Sequence, residues 1–170
     1  MTVSRDLEVY LVRHAPADER GPEWPDDTLR PLTAEGRKSF QKVVKGLDAA
    51  DVEIDVIFTS PLVRCRQTAE ILSSGLRGSP RVQPIESLAP GGGASAVIAE
   101  LGGVVKKPRI ALVGHEPDLG KLAAQLLGLK RAPEFRKGGV ARIDLTGLPP
   151  SGPGLLGWFA PPRLLRRMAP

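Results

Sequence analysis

The chain has two histidines, and both stand at the same kind of place: His14 closes the run VYLVRH and His115 closes IALVGH. Each follows an apolar stretch and precedes a polar turn, which predicts a buried strand ending at the histidine. In an open α/β sheet, ligands bind beyond the carboxyl ends of the strands, so both imidazoles are expected on the reactive edge. A lone histidine is more often structural than functional, but two of two at strand exits point to chemistry. Arg13 adjoins His14. Arg64 falls about one turn into the helix that Ser60-Pro61 announces, and the backward tilt of helical side chains carries its guanidinium toward the same edge. Arg66, rotated about 200° further, is expected to point away. Thr68, four residues after Arg64, either orients the guanidinium or packs, with packing at least as good a reading. Two imidazoles and two fork-shaped cations at strand ends and helix N-termini suit a tetrahedral dianion. A metal centre is the poorer reading, because the two histidines lack further ligands at metal-binding spacing and the lone Cys65 cannot supply them.

The elements that hold these groups follow from pattern. Residues 7–12 predict a strand that exits into a polar, proline-rich loop reaching Pro31. Thr33 is a suitable N-cap for a helix in which Phe40, Val43, Val44 and Leu47 recur at helical spacing. A second strand is expected over 54–59. Ser60 then caps, and Pro61 opens, a helix whose Leu62, Cys65, Ala69, Leu72 and Leu76 share one face. A weaker strand over 81–85, a modest helix from the Gly91–Gly93 run to Leu101, and a buried strand over 109–113 come next. Pro117 begins a helix with Leu119, Leu122, Ala123, Leu126 and Leu127 on one stripe, stopped by Gly128, and residues 140–145 and 155–160 read as strands. This alternation predicts an α/β fold: a three-layer αβα sandwich on a mostly parallel sheet.

Length and composition bound the answer. At 170 residues the chain has the size of one domain, expected to span 1–170 with a core over about 7–160 and a basic tail over 161–170 that either docks an acidic partner or frays. Apolar residues at 41% and charged residues at 25% are those of a globular protein, and thirty-six glycines and prolines fall short of a disordered composition. Seven scattered aromatics are too few for a base-stacking platform, so a nucleic-acid partner is not expected. One cysteine and no apolar run resembling a leader or a membrane span fit a cytoplasmic protein. The net charge of +5 hides an acidic first third and a strongly basic last third, whose cations are by default a solvated face. The Lys137-Gly138-Gly139 turn either lines the site or is a basic turn before a strand, and Gly91–Gly93 lacks any phosphate-loop pattern and reads as a flexible loop.

The motifs Arg13-His14-Ala15, Arg30-Pro31-Leu32-Thr33, Ser60-Pro61-Leu62-Val63-Arg64 with Gln67-Thr68, and Val113-Gly114-His115-Glu116-Pro117 occur in order on these elements. Together they resemble the histidine phosphatase superfamily, with its phosphoglycerate mutase-like fold, and in particular its short, SixA-like phosphohistidine phosphatase branch. The resemblance covers about residues 7–145. It implies that His14 attacks phosphorus and is transiently phosphorylated, that Arg13, Arg64 and His115 surround the phosphoryl oxygens, and that no cofactor or metal is needed. It also ranks Asp27, three residues before Arg30, first as general acid within the acidic loop of Asp18, Glu19, Glu23, Asp26 and Asp27; Glu86 is the alternative used by larger members. His115 serves best when protonated, a state that a bound dianion favours. The substrate so implied is a phosphorylated protein bearing phosphohistidine. The alternatives are a small phosphate ester and, from another class, a non-catalytic module that holds phosphate or nucleic acid.

Overall fold

The computed structural model describes residues 4–170, so the first three residues of the expected leader-free start lie outside the described residues. Strands β1 (Leu7–Arg13), β2 (Val56–Thr59), β3 (Arg81–Pro84), β4 (Arg109–Gly114), β5 (Val140–Leu145) and β6 (Leu155–Ala160) build one sheet in the order β3-β2-β4-β1-β5-β6. The four strands from β3 to β1 pair in parallel, whereas β5 and β6 add on antiparallel. Helices α1 (Ala34–Ala49), α2 (Val63–Gly75) and α5 (Pro162–Met168) cover one face, and α3 (Ala94–Gly102) and α4 (Asp118–Leu127) cover the other.

The period of two in the strands sorts the core into these layers. In β1, Tyr10 and Val12 pack with Phe40, Val43, Val44 and Leu47 of α1 and with Cys65, Ala69 and Leu72 of α2. Val9 and Leu11 point the other way, against Leu119, Leu122 and Leu126 of α4. The predicted three-layer architecture and its mostly parallel sheet are therefore present, and Thr33 caps α1 by accepting the Gly36 N–H at 2.8 Å. Gly128 ends α4 in the left-handed region at φ 69°, which its missing Cβ permits.

Strand β2 begins at Val56, two residues after its expected start, and α3 spans Ala94–Gly102 rather than starting in the glycine run; three further departures concern α2, α4 and the C-terminal stretch. Helix α2 starts at Val63, later than the Ser60-Pro61 signal suggests, because Ser60 Oγ accepts the Leu62 N–H at 3.3 Å inside the turn that precedes the helix. Helix α4 starts at Asp118, with Pro117 in the capping position. The third correction concerns the C-terminal stretch, read as a basic tail. It forms α5 and packs on α1: Leu165 is buried, and a Cβ on Gly46 would strike the Leu165 carbonyl. Burial of one leucine and this close helix approach hold a segment that its charge alone suggests is loose.

Candidate active site

Adjacent parallel strands bring the reactive groups together. The residues Arg13 and Gly114 lie level across β1 and β4. Beyond them the His14 N–H donates to the Gly114 carbonyl at 3.1 Å, and the Ser60 N–H, after β2, donates to the Val113 carbonyl at 2.9 Å. His14 and His115 therefore emerge side by side, with ring centroids 5.4 Å apart and edges toward faces. Both imidazoles are almost closed off, with 7% and 5% of their surface exposed.

His14 Nδ1 lies 2.7 Å from the Ala15 carbonyl, which can only accept, so Nδ1 carries the proton and Nε2 carries the lone pair. The turn that sets this bond is itself pinned. The Ala15 N–H donates to Thr68 Oγ1 at 3.1 Å, and the Thr68 hydroxyl donates to the Arg64 carbonyl at 2.7 Å. Thr68 thus neither orients the Arg64 guanidinium nor merely packs; it ties α2 to the residue after His14. Its neighbour Gln67 accepts the Leu32 N–H at 2.9 Å, which links α2 to the loop before α1.

The cations are oriented by backbone and carboxylate. Arg64, 2% exposed, donates from Nη1 to the Asp27 carbonyl at 2.9 Å and from Nη2 to Asp27 Oδ2 at 3.1 Å. Arg13 donates from Nη1 to the Phe135 carbonyl at 2.6 Å. The Phe135 peptide is held in turn by Glu116, whose carboxylate accepts the Gly120 N–H at 2.7 Å and the Phe135 N–H at 3.4 Å. The Nε atoms of Arg13 and Arg64 are buried without an acceptor among the described residues.

These groups line a pocket of about 360 Å³, together with Arg20, Arg30, Lys137 and the acids Asp18, Glu19 and Glu116. Lys137 therefore does line the site. Arg30 is buried and donates to Asp27 Oδ1 at 2.8 Å and to the Asp18 carbonyl at 2.6 Å, which anchors the loop over the pocket. Asp27 and Glu86 line an adjoining groove that shares Pro90 with the pocket. The Arg66 side chain is exposed, as its helical phase requires. Gly91 donates its N–H to Asp118 Oδ2 at 2.8 Å, and Gly93 stands at the start of α3.

Burial pushes the His14 pKa down to about 4; its bond to the Ala15 carbonyl opposes the shift, and Arg64, Arg13 and Lys137 reinforce it. Burial, then the neighbouring His14 and Arg64, push His115 down to about 3. Both rings are neutral near pH 7 in the free protein, which keeps the His14 lone pair available. The hydrogen bond from Arg30, then the charges of Arg64, Arg30 and Arg20, hold the Asp27 carboxyl below its usual range despite some desolvation. Burial raises the Glu116 carboxyl.

Sequence reasoning passed over three groups that contact this machinery. Ser60, read as a helix cap, has its Oγ 2.8 Å from His115 Nε2. Cys65, read as a packing residue, has its Sγ 3.3 Å from the same nitrogen, and burial pushes its thiol up to about 12, so it stays protonated. Glu116 reaches Arg13 only through Phe135, a residue far along the chain. The Ser-Pro and His-Glu-Pro strings contain two of these residues, but nothing local tells which atoms they meet. Among the described residues no cluster of three or more histidine, cysteine or carboxylate side chains is arranged to hold a metal ion, and no helix is long and apolar enough to cross a membrane.

Residues 9–89 match the profile of the histidine phosphatase superfamily (branch 1). An uncharacterized protein of the cyanobacterium Picosynechococcus is 37% identical over 149 residues, covering 81% of this chain and 89% of its own. The phosphohistidine phosphatase SixA of Escherichia coli is 27% identical over 158 residues, covering 92% and 94%. A structure of the protein histidine phosphatase SixA complexed with tungstate superposes with a TM-score of 0.81 at 27% identity, over 94% of this chain and 99% of that one. At 16% identity, a structure of phosphoserine phosphatase from Entamoeba histolytica in complex with 3-phosphoglyceric acid shares the fold with a TM-score of 0.65, over 90% of this chain and 96% of that one. The profile match carries the arginine-histidine and serine-proline motifs, and the alignment with SixA runs nearly end to end, so the chain belongs to the histidine phosphatase superfamily.

Proposed function

We propose that this protein is a one-domain, cytoplasmic, metal-independent phosphatase that passes the phosphoryl group through His14 and takes it from phosphohistidine on a protein. One observation carries the reading: the bond from Nδ1 to the Ala15 carbonyl leaves Nε2 of His14 unprotonated in a pocket walled by Arg13, Arg64, Arg30 and Lys137. His14 Nε2 attacks phosphorus and the bond from phosphorus to the substrate nitrogen breaks; the leaving imidazole departs neutral once the other nitrogen of the phosphohistidine ring has taken up a proton from solvent. Water then attacks the phosphorylated His14, the bond from phosphorus to Nε2 breaks, and inorganic phosphate and neutral His14 are regenerated. Arg13 and Arg64 neutralise the charge on the transferring group, and a bound dianion draws a proton onto His115, whose second donor then serves the same oxygens.

The acid is the finer question. Asp27 is engaged by two arginines that keep it ionised, and Glu86 shares its groove outside the pocket, so neither is poised to donate a proton. A phosphoramidate places little demand on an acid, which fits the protein phosphohistidine reading better than an ester of a poor leaving group. The SixA relatives support the same substrate class. Rapid quench with labelled phosphohistidine peptide should trap label on His14, and His14→Ala should abolish both the label and hydrolysis of para-nitrophenyl phosphate. Full hydrolysis by His14→Ala refutes the mechanism. A preference for small phosphate esters by orders of magnitude moves the substrate to the small-molecule class.

A further inference from the structure

Docking of α5 on α1 creates a second charged feature, separate from the pocket. Lys38 and Lys42, one turn apart on α1, face Arg163 and Arg167, one turn apart on α5, across an open groove that also holds Arg166 and a single acid, Glu35. Arg166 is steadied by a bond from Nη1 to Ser39 Oγ at 3.1 Å, while the other four cations are exposed. None of the five takes part in an ion pair among the described residues. Like charges gathered without counter-ions repel one another, and they raise the local concentration of an anionic partner.

The pocket wall touches the helix pair that bears the groove. Lys137 lines the pocket, and a Cβ on the next residue, Gly138, would lie 3.4 Å from the Phe40 ring of α1 and 3.7 Å from Pro162 of α5. Beside the cations, Leu164 and Met168 stand exposed one turn apart on α5. Aliphatic surface of this kind suits contact with protein side chains, and no aromatic lines the groove for base stacking. We propose that this groove docks an acidic helix of the protein that presents the phosphoryl group to His14. Two cation rows with a spacing of four residues match a helix whose carboxylates recur at that spacing. The proposal rests on the reading of a protein-borne substrate and specifies the surface chemistry of that substrate.

The test uses the full chain and a fluorescein-labelled, lactam-stapled, glutamate-rich helical peptide, with the triple variant Lys42→Glu/Arg163→Glu/Arg167→Glu as comparison. The wild type should bind the peptide at low ionic strength and release it as salt is raised, and the variant should bind at least about tenfold more weakly. Hydrolysis of para-nitrophenyl phosphate, which occupies only the pocket, should be unchanged, and this also reports that the variant is folded. With the same peptide carrying one phosphohistidine, the variant should show a raised KM at unchanged kcat, whereas free phosphohistidine should be turned over equally by both proteins. Peptide affinity or KM unaltered by the reversal overturns the proposal. So does tighter binding of a DNA duplex, or of phosphatidylserine vesicles, than of the peptide. Peptide binding without phosphohistidine hydrolysis counts instead against the catalytic reading and leaves the docking result standing.

Discussion

Two histidines kept neutral by burial make the stability of this protein fall as the solution is acidified, and the size of the fall can be worked out. In the unfolded chain each imidazole titrates near 6.5, whereas in the fold His14 and His115 titrate at about 4 and about 3. Between these values the unfolded state binds more protons than the native state, so the free energy of unfolding rises with pH. The contribution is fully present above pH 6.5 and is lost as pH falls below it. From pH 7 to pH 5 each histidine removes about 2 kcal/mol, about 4 kcal/mol for the pair, at 1.36 kcal/mol per pH unit per proton. That is a large share of the roughly 5–15 kcal/mol that holds a domain folded. Glu116, raised by burial, acts in the opposite sense toward the lower end of this window, and Asp27, lowered by its arginines, adds to the loss only at more acid pH. Urea titrations at constant ionic strength and pH 7, 6 and 5 measure the slope directly, with a constant m-value as the check on two-state behaviour. His14→Asn and His115→Asn should each flatten it by about half. Saturating vanadate should flatten it as well, because a bound dianion favours protonated imidazole in the native state. A wild-type change below about 1 kcal/mol, or an undiminished slope in the double variant, refutes burial as the force on these two groups.

Other substitutions probe the supports of the site. Arg64→Lys replaces a fork that makes two bonds to Asp27 with a point charge, and kcat on para-nitrophenyl phosphate should fall by about 10²–10³. Retention of activity within a few-fold would show that position, rather than fork geometry, suffices. Glu116→Ala frees the Phe135 peptide that holds Arg13, so KM for para-nitrophenyl phosphate and the dissociation constant of vanadate should both rise by several-fold, about 1 kcal/mol, with partial rescue in Glu116→Gln. A change confined to thermal stability would reduce Glu116 to a structural cap of α4. Thr68→Val leaves the buried Ala15 N–H without an acceptor and should cost about 1–3 kcal/mol, read as a melting temperature lower by about 2–10 °C, whereas Thr68→Ser should stay close to wild type.

The supports explain why short strings in the sequence carry so much of the site. Gln67 and Thr68 each reach a different loop, Leu32 and Ala15, so one turn of α2 fixes the entry to α1 and the turn after His14 together. Ser60 serves the Leu62 N–H and His115 Nε2 at once, which couples the start of α2 to the second imidazole. Each of these residues is small or polar for a reason set by a partner distant in sequence.

The sequence by itself determined the six strands, helices α1 to α4, and the placement of His14, His115 and Arg64 at one edge. It could do so because apolar runs, caps and helical phase are local properties, with interactions spanning a few residues. Tertiary structure alone decided the strand order that sets β2, β4 and β1 side by side and so brings Ser60, His115 and His14 into contact. It also decided that Asp27 binds Arg64 and Arg30, that Phe135 and Glu116 hold Arg13, and that α5 lies on α1 as a wall of a cationic groove. These outcomes depend on pairings between segments far apart in the chain. The neutral state of the two imidazoles depends on how completely the assembled protein removes water from them, a quantity no stretch of sequence contains.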